Sequence, residues 1–360
     1  MINMPLHDNK VYITPNPNSA GFSNASTQTL HDVLKFSSEI GFKTVSLGVR
    51  AKIPINPMGY FEKIVKYWKN ADIILCTYPY ICRPTKDNPI RQLESNLIKN
   101  NNRNKLSILY IIDLPIEQAI SSGKKVDKKA YHIEETILKS FTYLLVFNEK
   151  MKENIQEKYG FDDNKFIFFE ILDYWVDYKP PDKKKFDLPI SIVYSGALRP
   201  QQSKWITQLP TTKDIIYEFS GANGEHICKL NKEHIVYQGV IQHNKFFEFL
   251  SKHHFGIIHR DFEEINYYEF TSTSKLSAYL IAGLPILCSS EFSYISHLLK
   301  KYEVGLSFDT YNDIPKIISN LDELKYYKLR KNCERLSEKI KNGWFFKTAV
   351  KKALETKGAK

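Results

Sequence analysis

The stretch Thr271–Ser290 combines hydroxyl side chains, a lysine and a short apolar helix pattern, and its residue types are suited to binding an anion. Ser274 can cap the predicted helix, and Gly283 stands where the left-handed residue after a helix belongs. Lys275 falls in the first turn, where exposed N–H groups repel a cation at a cost of roughly 0.3–1 kcal/mol. A bound anion reverses that sign, because N–H groups, hydroxyls and the ammonium then converge on one negative group. A lysine that turns away into solvent is the alternative. The predicted phosphate ligands are Ser272, Thr273, Ser274 and Lys275.

Three more polar turns follow predicted strands in the second half of the chain, at 194–199, 219–224 and 256–261. Gly196 lets the backbone approach a ligand, and Arg199 has the geometry to grip a phosphate, although an ordinary glycine turn with a surface arginine fits the same residues. Open α/β sheets bind ligands beyond the carboxyl ends of their strands, so we predict one phosphate-and-sugar pocket. Its further members are Gly196, Arg199, Gly221 and Asp261. Neither a Walker pattern nor Gly-x-Gly-x-x-Gly occurs, which argues against a P-loop NTPase and a dinucleotide site.

In the first half of the chain, a carboxylate and a polar loop also follow predicted strands. Asp113 ends the predicted strand 106–112, where it could deprotonate an attacking hydroxyl; a turn or helix-capping aspartate is the equal alternative. The loop 14–22 is long and polar enough to contact a second substrate, and Asn16, Ser19 and Gly21 are its predicted contacts. No metal-ligand spacing occurs, so no metal site is predicted.

The elements that position these residues alternate between strand and helix patterns in both halves. Most strand patterns are continuous apolar runs, as expected of parallel strands buried on both faces. We therefore predict an α/β protein of two Rossmann-like, doubly wound domains that face a cleft. The domains span 1–177 and 188–342, joined by a stiff, exposed, proline- and lysine-rich linker. A final helix at 343–360 crosses back to the first domain.

Composition narrows the class of protein. The formal charge of +11 indicates anionic partners, but no basic-aromatic motif accompanies it, so nucleic acid is not a predicted partner. No apolar run has the length of a membrane span, and the start lacks the layout of a secretion signal. The five cysteines are scattered and odd in number, which is typical of reduced thiols in a cytoplasmic protein.

Four segments resemble bacterial two-domain glycosyltransferases of the GT-B type. This group includes the glucosyltransferase that extends O-linked N-acetylglucosamine on serine-rich-repeat adhesins, and the β-1,6-galactofuranosyltransferases. Asn24–Val33 is similar to the start of the group's first helix. Leu109–Asp113, with Glu134, 146–151 and 173–175 downstream, resembles its N-domain signature. Tyr194–Leu198 resembles Tyr-Ala-Gly-Asn-Leu, and Lys275–Ile286 resembles Lys-x-Ser-x-Tyr-Leu-x-x-Gly-x-Pro-Val, which is the most specific of the four.

The resemblance implies a UDP-sugar donor on the C-terminal domain, with Tyr279 among its contacts, and a glycan or glycopeptide acceptor on the N-terminal domain. It implies transfer of a hexosyl unit (glucose, galactose or galactofuranose) in cell-surface polysaccharide or adhesin glycosylation, without a metal or other cofactor. It also implies homo-oligomers and peripheral work at the cytoplasmic face of the membrane. The sequence departs from the group at Ile112, Ala197 and 272–274. These departures motivate the alternative of a non-catalytic nucleotide-sugar-binding or chaperone-like subunit.

Overall fold

The computed structural model describes residues 9–15, 25–47, 57–80, 96, 98–100, 105–181, 185–261 and 267–358. The chain divides into two compact units. Unit 1 comprises Met1–Trp175 together with Gly343–Lys360, and unit 2 comprises Val176–Asn342. Among the described helices, none is both long enough and apolar enough to cross a lipid bilayer.

Unit 1 is built on a parallel sheet whose central strands are buried along their whole length. In the residues described, its strands are β1 Lys10–Pro15, β2 Lys43–Leu47, β3 Ile73–Tyr78, β4 Leu106–Ile111, β5 Tyr143–Val146 and β6 Phe166–Phe168. Its helices before the linker include α1 Ala25–Glu39, α2 Pro57–Asn70, α3 Pro115–Ile120, α4 Lys128–Ser140 and α5 Glu149–Tyr159. The strand order is β2-β1-β3-β4-β5-β6, so the direction of winding reverses between β1 and β3.

Unit 2 carries a second parallel sheet, formed in its described part by β7 Ile190–Ser195, β8 Ile215–Ser220, β9 Ile235–Tyr237, β10 Phe255–Ile258, β11 Ile286–Ser289 and β12 Gly305–Phe308. Its α-helices include α6 Phe246–Ser251, α7 Thr273–Ile281, α8 Ser293–Tyr302, α9 Asp313–Ser319 and α10 Glu323–Lys341. The order β12-β11-β10-β7-β8-β9 places the reversal of winding between β7 and β10. The α/β fold class with two doubly wound parallel sheets is confirmed.

Some predicted elements differ in kind. The sequence pattern at 203–208 predicts a helix, and the structure has a 3₁₀ helix there, Lys204–Gln208. The helix α3 has no counterpart among the helical patterns of the sequence. α3 is a short helix that begins with proline, so it offers too few turns for a helical repeat to be visible in sequence.

The final helix, α11 Trp344–Gly358, packs within unit 1. The Asp173 carboxylate accepts the Phe346 N–H at 2.6 Å and so satisfies a free donor at the helix start. On the neighbouring helix α1, the Asp32 carboxylate accepts the Trp175 N–H at 2.9 Å. Burial raises the pKa of both carboxyl groups, and each also raises the pKa of nearby Tyr110. The first of these bonds fixes the start of α11 against the segment that ends the first portion of unit 1, and the second fixes that segment against α1.

The linker is less exposed than predicted, because its first residues pack on unit 2. Pro180 is buried, and the Tyr178 ring stacks on Phe247 at 5.3 Å between centroids. From α10, Arg330 donates to the Pro181 carbonyl at 3.3 Å and Lys341 donates to the Tyr178 carbonyl at 3.2 Å. The composition of this segment predicts an exposed linker, but the Tyr178 ring packs on Phe247 and Pro180 is shielded from solvent.

Glu134 on α4 is a buried acid in unit 1, with one oxygen accepting the Tyr78 hydroxyl at 2.6 Å and the other the Tyr159 hydroxyl at 2.9 Å. Burial raises the pKa of Glu134 to about 7, against the lowering effect of both hydrogen bonds. Between the usual value of 4.5 and about 7, the folded protein keeps a proton that the unfolded chain has lost. The free energy of unfolding therefore falls as pH rises through this range and levels off above it.

Glu134→Gln removes this titration while keeping a polar side chain of the same size. We expect the stability of the wild type relative to the variant to fall by roughly 1–3 kcal/mol from about pH 5 to about pH 8, measured by urea unfolding. Glu157→Gln, on an exposed position of α5, is the matched control for loss of one carboxylate. A difference between wild type and Glu134→Gln that is the same at both pH values would contradict this assignment.

Candidate functional site

The carboxyl edge of the unit 2 sheet has its crevice where β7 and β10 lie side by side. Doubly wound sheets bind ligands where the winding reverses, just outside the carboxyl ends of the strands. β7 ends at Ser195 and leads directly into Gly196, while β10 leads into His259, Arg260 and Asp261. The next described α-helix is α7, which carries Lys275. The parts of the sequence that were singled out for anion chemistry therefore meet at one edge of this sheet.

The start of α7 differs in detail from the prediction. The N-cap residue is Ser272, whose side chain makes no capping hydrogen bond, so Ser274 lies inside the first turn and the prediction that it caps the helix is wrong. Thr273 has φ +54°, a left-handed conformation that costs a β-branched residue roughly 1–3 kcal/mol. At the other end Gly283 has φ +73° and follows the C-cap Ala282, as predicted. Strain of this kind persists only where the surrounding structure holds it in place.

Lys275 lies across the turn that follows β7. Its ammonium is 5.2 Å from the centroid of the Tyr194 ring, close enough for its charge to act on the Tyr194 hydroxyl. A Cβ on Gly196 would come within 2.7 Å of Lys275 Cε, so the lysine side chain passes directly over this glycine. Within the described part of the chain, no Asp or Glu forms an ion pair with the ammonium. The Lys275 ammonium is therefore not neutralised by a described carboxylate.

Electrostatics around Lys275 keep it charged. Burial acts to lower the pKa of Lys275, the phenol oxygens of Tyr194, Tyr268 and Tyr279 act to raise it, and the net shift is upward. Arg260 is close enough for its charge to act on both Lys275 and Tyr194. A cation in the first turn of a helix is repelled by the helix dipole, and an anion bound beside Lys275 removes that cost.

The glycine turns of β7 and β8 are stacked on each other. The Gly196 N–H donates to the Ser220 carbonyl at 2.9 Å, and a Cβ on Gly221 would come within 1.8 Å of the Gly196 carbonyl oxygen. The Gly221 carbonyl in turn accepts the Tyr237 hydroxyl at 2.7 Å. Gly221 thus packs directly against the backbone of Gly196, and this contact explains why position 221 requires a glycine.

Two predicted ligand residues have partners inside the protein. The Tyr279 side chain is fully buried, and its hydroxyl accepts the Ser195 N–H at 2.9 Å. The Asp261 carboxylate accepts the Trp205 N–H at 3.2 Å and lies 3.8 Å from His259 Nε2. Burial raises and these contacts lower the pKa of Asp261, with a net downward shift. Both side chains brace the strand ends around the crevice.

Arg199 and Ser272 sit at opposite extremes of exposure. Arg199 is exposed and, among the described residues, its guanidinium makes no hydrogen bond or ion pair. Ser272 is completely buried, whereas Thr273 and Ser274 are partly exposed. The structure places Lys275 against Gly196 and Tyr194, and Arg260 is near enough for its charge to act on Lys275. Sequence reasoning singled out Gly196 but missed the other two, although Arg260 stands in the same polar turn as Asp261.

In unit 1, Asp113 follows β4 at the carboxyl edge of the sheet and is partly exposed. One of its carboxylate oxygens accepts the Gln118 amide at 2.7 Å, an arrangement that fixes the carboxyl group on the first turns of α3. The predicted acceptor contacts Asn16, Ser19 and Gly21 lie outside the described residues. Where side chains are described, no group of three or more His, Cys, Asp or Glu is arranged to hold a metal ion.

Comparison with known proteins agrees with this geometry. Residues 192–353 match the family described as glucosyltransferase 3-like, C-terminal domain. An α-glucosyltransferase solved with UDP-glucose and abasic-site DNA superposes with a TM-score of 0.60 at 12% identity, over 96% of this chain and 98% of that one. Anabaena Alr3699/HepE, solved with UDP-glucose, gives 0.57 at 11% identity, over 97% and 100%. TarM gives 0.51 at 14% identity over 79% of this chain, which spans 57% of TarM.

At these identities the solved structures show the fold, which is the GT-B fold of glycosyltransferases. The matched family covers nearly all of unit 2 and extends into α11. Residues 192–353 therefore match the glucosyltransferase 3-like C-terminal domain, and the chain that carries them has the GT-B fold.

Proposed function

We propose that this chain is a glycosyltransferase that moves a hexosyl unit (glucose, galactose or galactofuranose) from a UDP-sugar to a hydroxyl of a glycan or glycopeptide. The observation that carries the proposal is the Lys275 ammonium at the start of α7. No described carboxylate pairs with Lys275, and the charge of Arg260 acts on it. It lies at the reversal point of the unit 2 sheet, where doubly wound folds hold nucleotides. Solved relatives in fold contain UDP or UDP-glucose, which agrees with this class of donor.

The mechanism follows from the charges. As the bond from the anomeric carbon to the diphosphate breaks, its electron pair passes to the departing UDP. Lys275, Arg260 and the N–H groups of α7 stabilise that growing negative charge, a role that a metal ion fills in other enzymes. The acceptor hydroxyl attacks the anomeric carbon and its proton passes to a carboxylate, for which Asp113 is our candidate base. We propose that no metal ion is required.

The test is UDP release from a panel of UDP-sugars and glycan acceptors in the presence of EDTA. We expect acceptor-dependent release that persists with the chelator, and a fall in kcat of roughly 10²- to 10⁴-fold in Asp113→Asn with little change in UDP affinity. Glu117→Gln is unsuitable as a control because Glu117 is buried and paired with Lys158, so the exposed Glu157→Gln serves. Loss of release with EDTA would overturn metal independence.

The alternative is a non-catalytic subunit that binds a nucleotide-sugar. It is motivated by Ile112 and Ala197, where the resembling glycosyltransferases carry a histidine and an asparagine. This alternative predicts UDP binding in calorimetry without release of UDP on any acceptor of the panel, and equal results for wild type and Asp113→Asn.

A further inference from the structure

We propose that Tyr194 is a positioning residue that holds the Lys275 ammonium over the Gly196 turn before a nucleotide-sugar arrives. This inference rests on the proposed function, since it assigns a purpose to the arrangement that would receive the diphosphate. Tyr194 lies one residue before the end of β7 and is only 3% exposed, so it is a support under the ammonium and has little surface for a ligand.

The geometry gives Lys275 one narrow path. On one side the ammonium faces the Tyr194 ring at 5.2 Å from its centroid, and its charge acts on the ring hydroxyl. On the other side, the end of the Lys275 side chain lies against Gly196, where an added Cβ would come within 2.7 Å of Lys275 Cε and 3.3 Å of Lys275 Nζ. A free lysine side chain samples many rotamers, and a slot of this kind selects among them. The charge is then in place without being ordered by the ligand itself.

The Tyr194 ring is itself fixed. It packs edge-on against Trp205 at 5.6 Å and in a tilted arrangement against Phe219 at 6.2 Å, and both partners are buried in the core of unit 2. A ring held on two sides cannot follow the lysine, so the lysine has to conform to the ring. Rigid support of this type is what distinguishes a positioning contact from two side chains that happen to touch.

A tyrosine suits this task better than a carboxylate. Burial raises the pKa of Tyr194, although Lys275 acts to lower it, and the phenol therefore stays neutral at physiological pH. A neutral hydroxyl and an aromatic face attract an ammonium without cancelling its charge, whereas an aspartate would compete with the diphosphate for it. The arrangement therefore keeps a charged lysine in one place and leaves that charge available.

The sequence offers a matched control in Tyr217, on the adjacent strand β8. Its ring is also completely buried in the core of unit 2, and in the described structure its hydroxyl makes no hydrogen bond. Tyr194→Phe and Tyr217→Phe thus remove the same atom from neighbouring strands, and the first alone loses a contact with Lys275. Tyr194→Leu additionally removes the aromatic face.

The experiment measures UDP affinity by calorimetry in wild type, Tyr194→Phe, Tyr194→Leu, Tyr217→Phe and Lys275→Met, and in the double variants with Lys275→Met. We expect affinity to fall roughly 3- to 10-fold in Tyr194→Phe and further in Tyr194→Leu, with no change in Tyr217→Phe. In the Lys275→Met background the Tyr194 changes should have no further effect, because Tyr194 acts through Lys275. A Tyr194→Phe loss equal to that of Tyr217→Phe, or one that persists without Lys275, overturns the inference.

A second readout needs no ligand and separates failure of this inference from failure of the proposed function. After reductive ¹³C-methylation, the lysine signal that is absent in Lys275→Met reports the titration of Lys275. We expect it to titrate at lower pH in both Tyr194 variants than in wild type, because Tyr194 raises the pKa of Lys275. An unchanged titration overturns the positioning role. If the titration shifts in the Tyr194 variants but the wild type binds no UDP, the contact is supported and the nucleotide-sugar function is overturned.

Discussion

Lys275→Met is expected to lower kcat/KM for the UDP-sugar roughly 100-fold, which corresponds to about 2.7 kcal/mol of lost transition-state stabilisation. Methionine keeps much of the length and apolar volume of the side chain that crosses Gly196, so the change removes the charge with little loss of packing. A charged hydrogen bond contributes about 1.5–3 kcal/mol, and its effect grows as charge develops on the departing diphosphate. Steady-state kinetics with a coupled assay for UDP measures the change.

The control for this prediction is Lys300→Met, which removes one positive charge from an exposed position on α8 of the same unit. It should leave kcat/KM within about twofold of wild type, since an exposed charge far along the surface is screened by salt. Lys275→Arg is also expected to have lower activity than the wild type, although it keeps the charge, because the broader guanidinium does not fit the slot between Tyr194 and Gly196. Undiminished activity in Lys275→Met would sink the proposed mechanism.

Two neighbouring glycines should separate an effect on binding from an effect on folding. In Gly196→Ala the new Cβ meets the movable end of Lys275, so we expect UDP affinity to fall about tenfold or more with a stability loss of only about 1 kcal/mol. In Gly221→Ala the new Cβ meets the Gly196 carbonyl oxygen at 1.8 Å, and φ +136° is unfavourable for alanine. Because backbone cannot move aside as a side chain can, we expect a stability loss of roughly 3 kcal/mol.

Thermal unfolding followed by UDP titration measures both quantities for the two glycine variants. The decisive comparison is the order of the effects: Gly196→Ala should be the more impaired in binding and Gly221→Ala the more impaired in stability. Gly196→Ala with wild-type affinity would show that Lys275 can take another path, and would remove the steric basis for its placement.

The strands were readable from sequence because each is an apolar run of ordinary length between polar turns. The patterns at 43–47 and 305–308 predict strands and coincide with the observed β2 and β12, and the helical patterns at 128–140 and 149–159 coincide with α4 and α5. Lys275 can be singled out from sequence because it stands at the electrically unfavourable end of a helix, a signal that depends only on local spacing. Gly196 and Gly221 can be singled out in the same way, as glycines directly after strands.

Other features of the site depend on contacts between distant residues. Tyr194 reads as one more buried aromatic in a strand, and only the packing of α7 against β7 makes it a neighbour of Lys275. Tyr279 and Asp261 are predicted ligand residues, and their contacts with the Ser195 and Trp205 amides, more than fifty positions away in the chain, have no local sequence signal. The left-handed Thr273 has no sequence signal, because a threonine normally avoids that conformation.

The placement of α11 in unit 1 has a consequence for biosynthesis. Phe345, Phe346 and Val350 are almost wholly buried there, and the start of the helix is tied to Asp173. A ribosome therefore delivers 167 residues of unit 2 between the two portions of chain that unit 1 needs. Unit 2 has all of its residues while the core of unit 1 still lacks its last piece. The half that is translated first is thus the half that matures last, and it is the one exposed to chaperones and proteases in the interval.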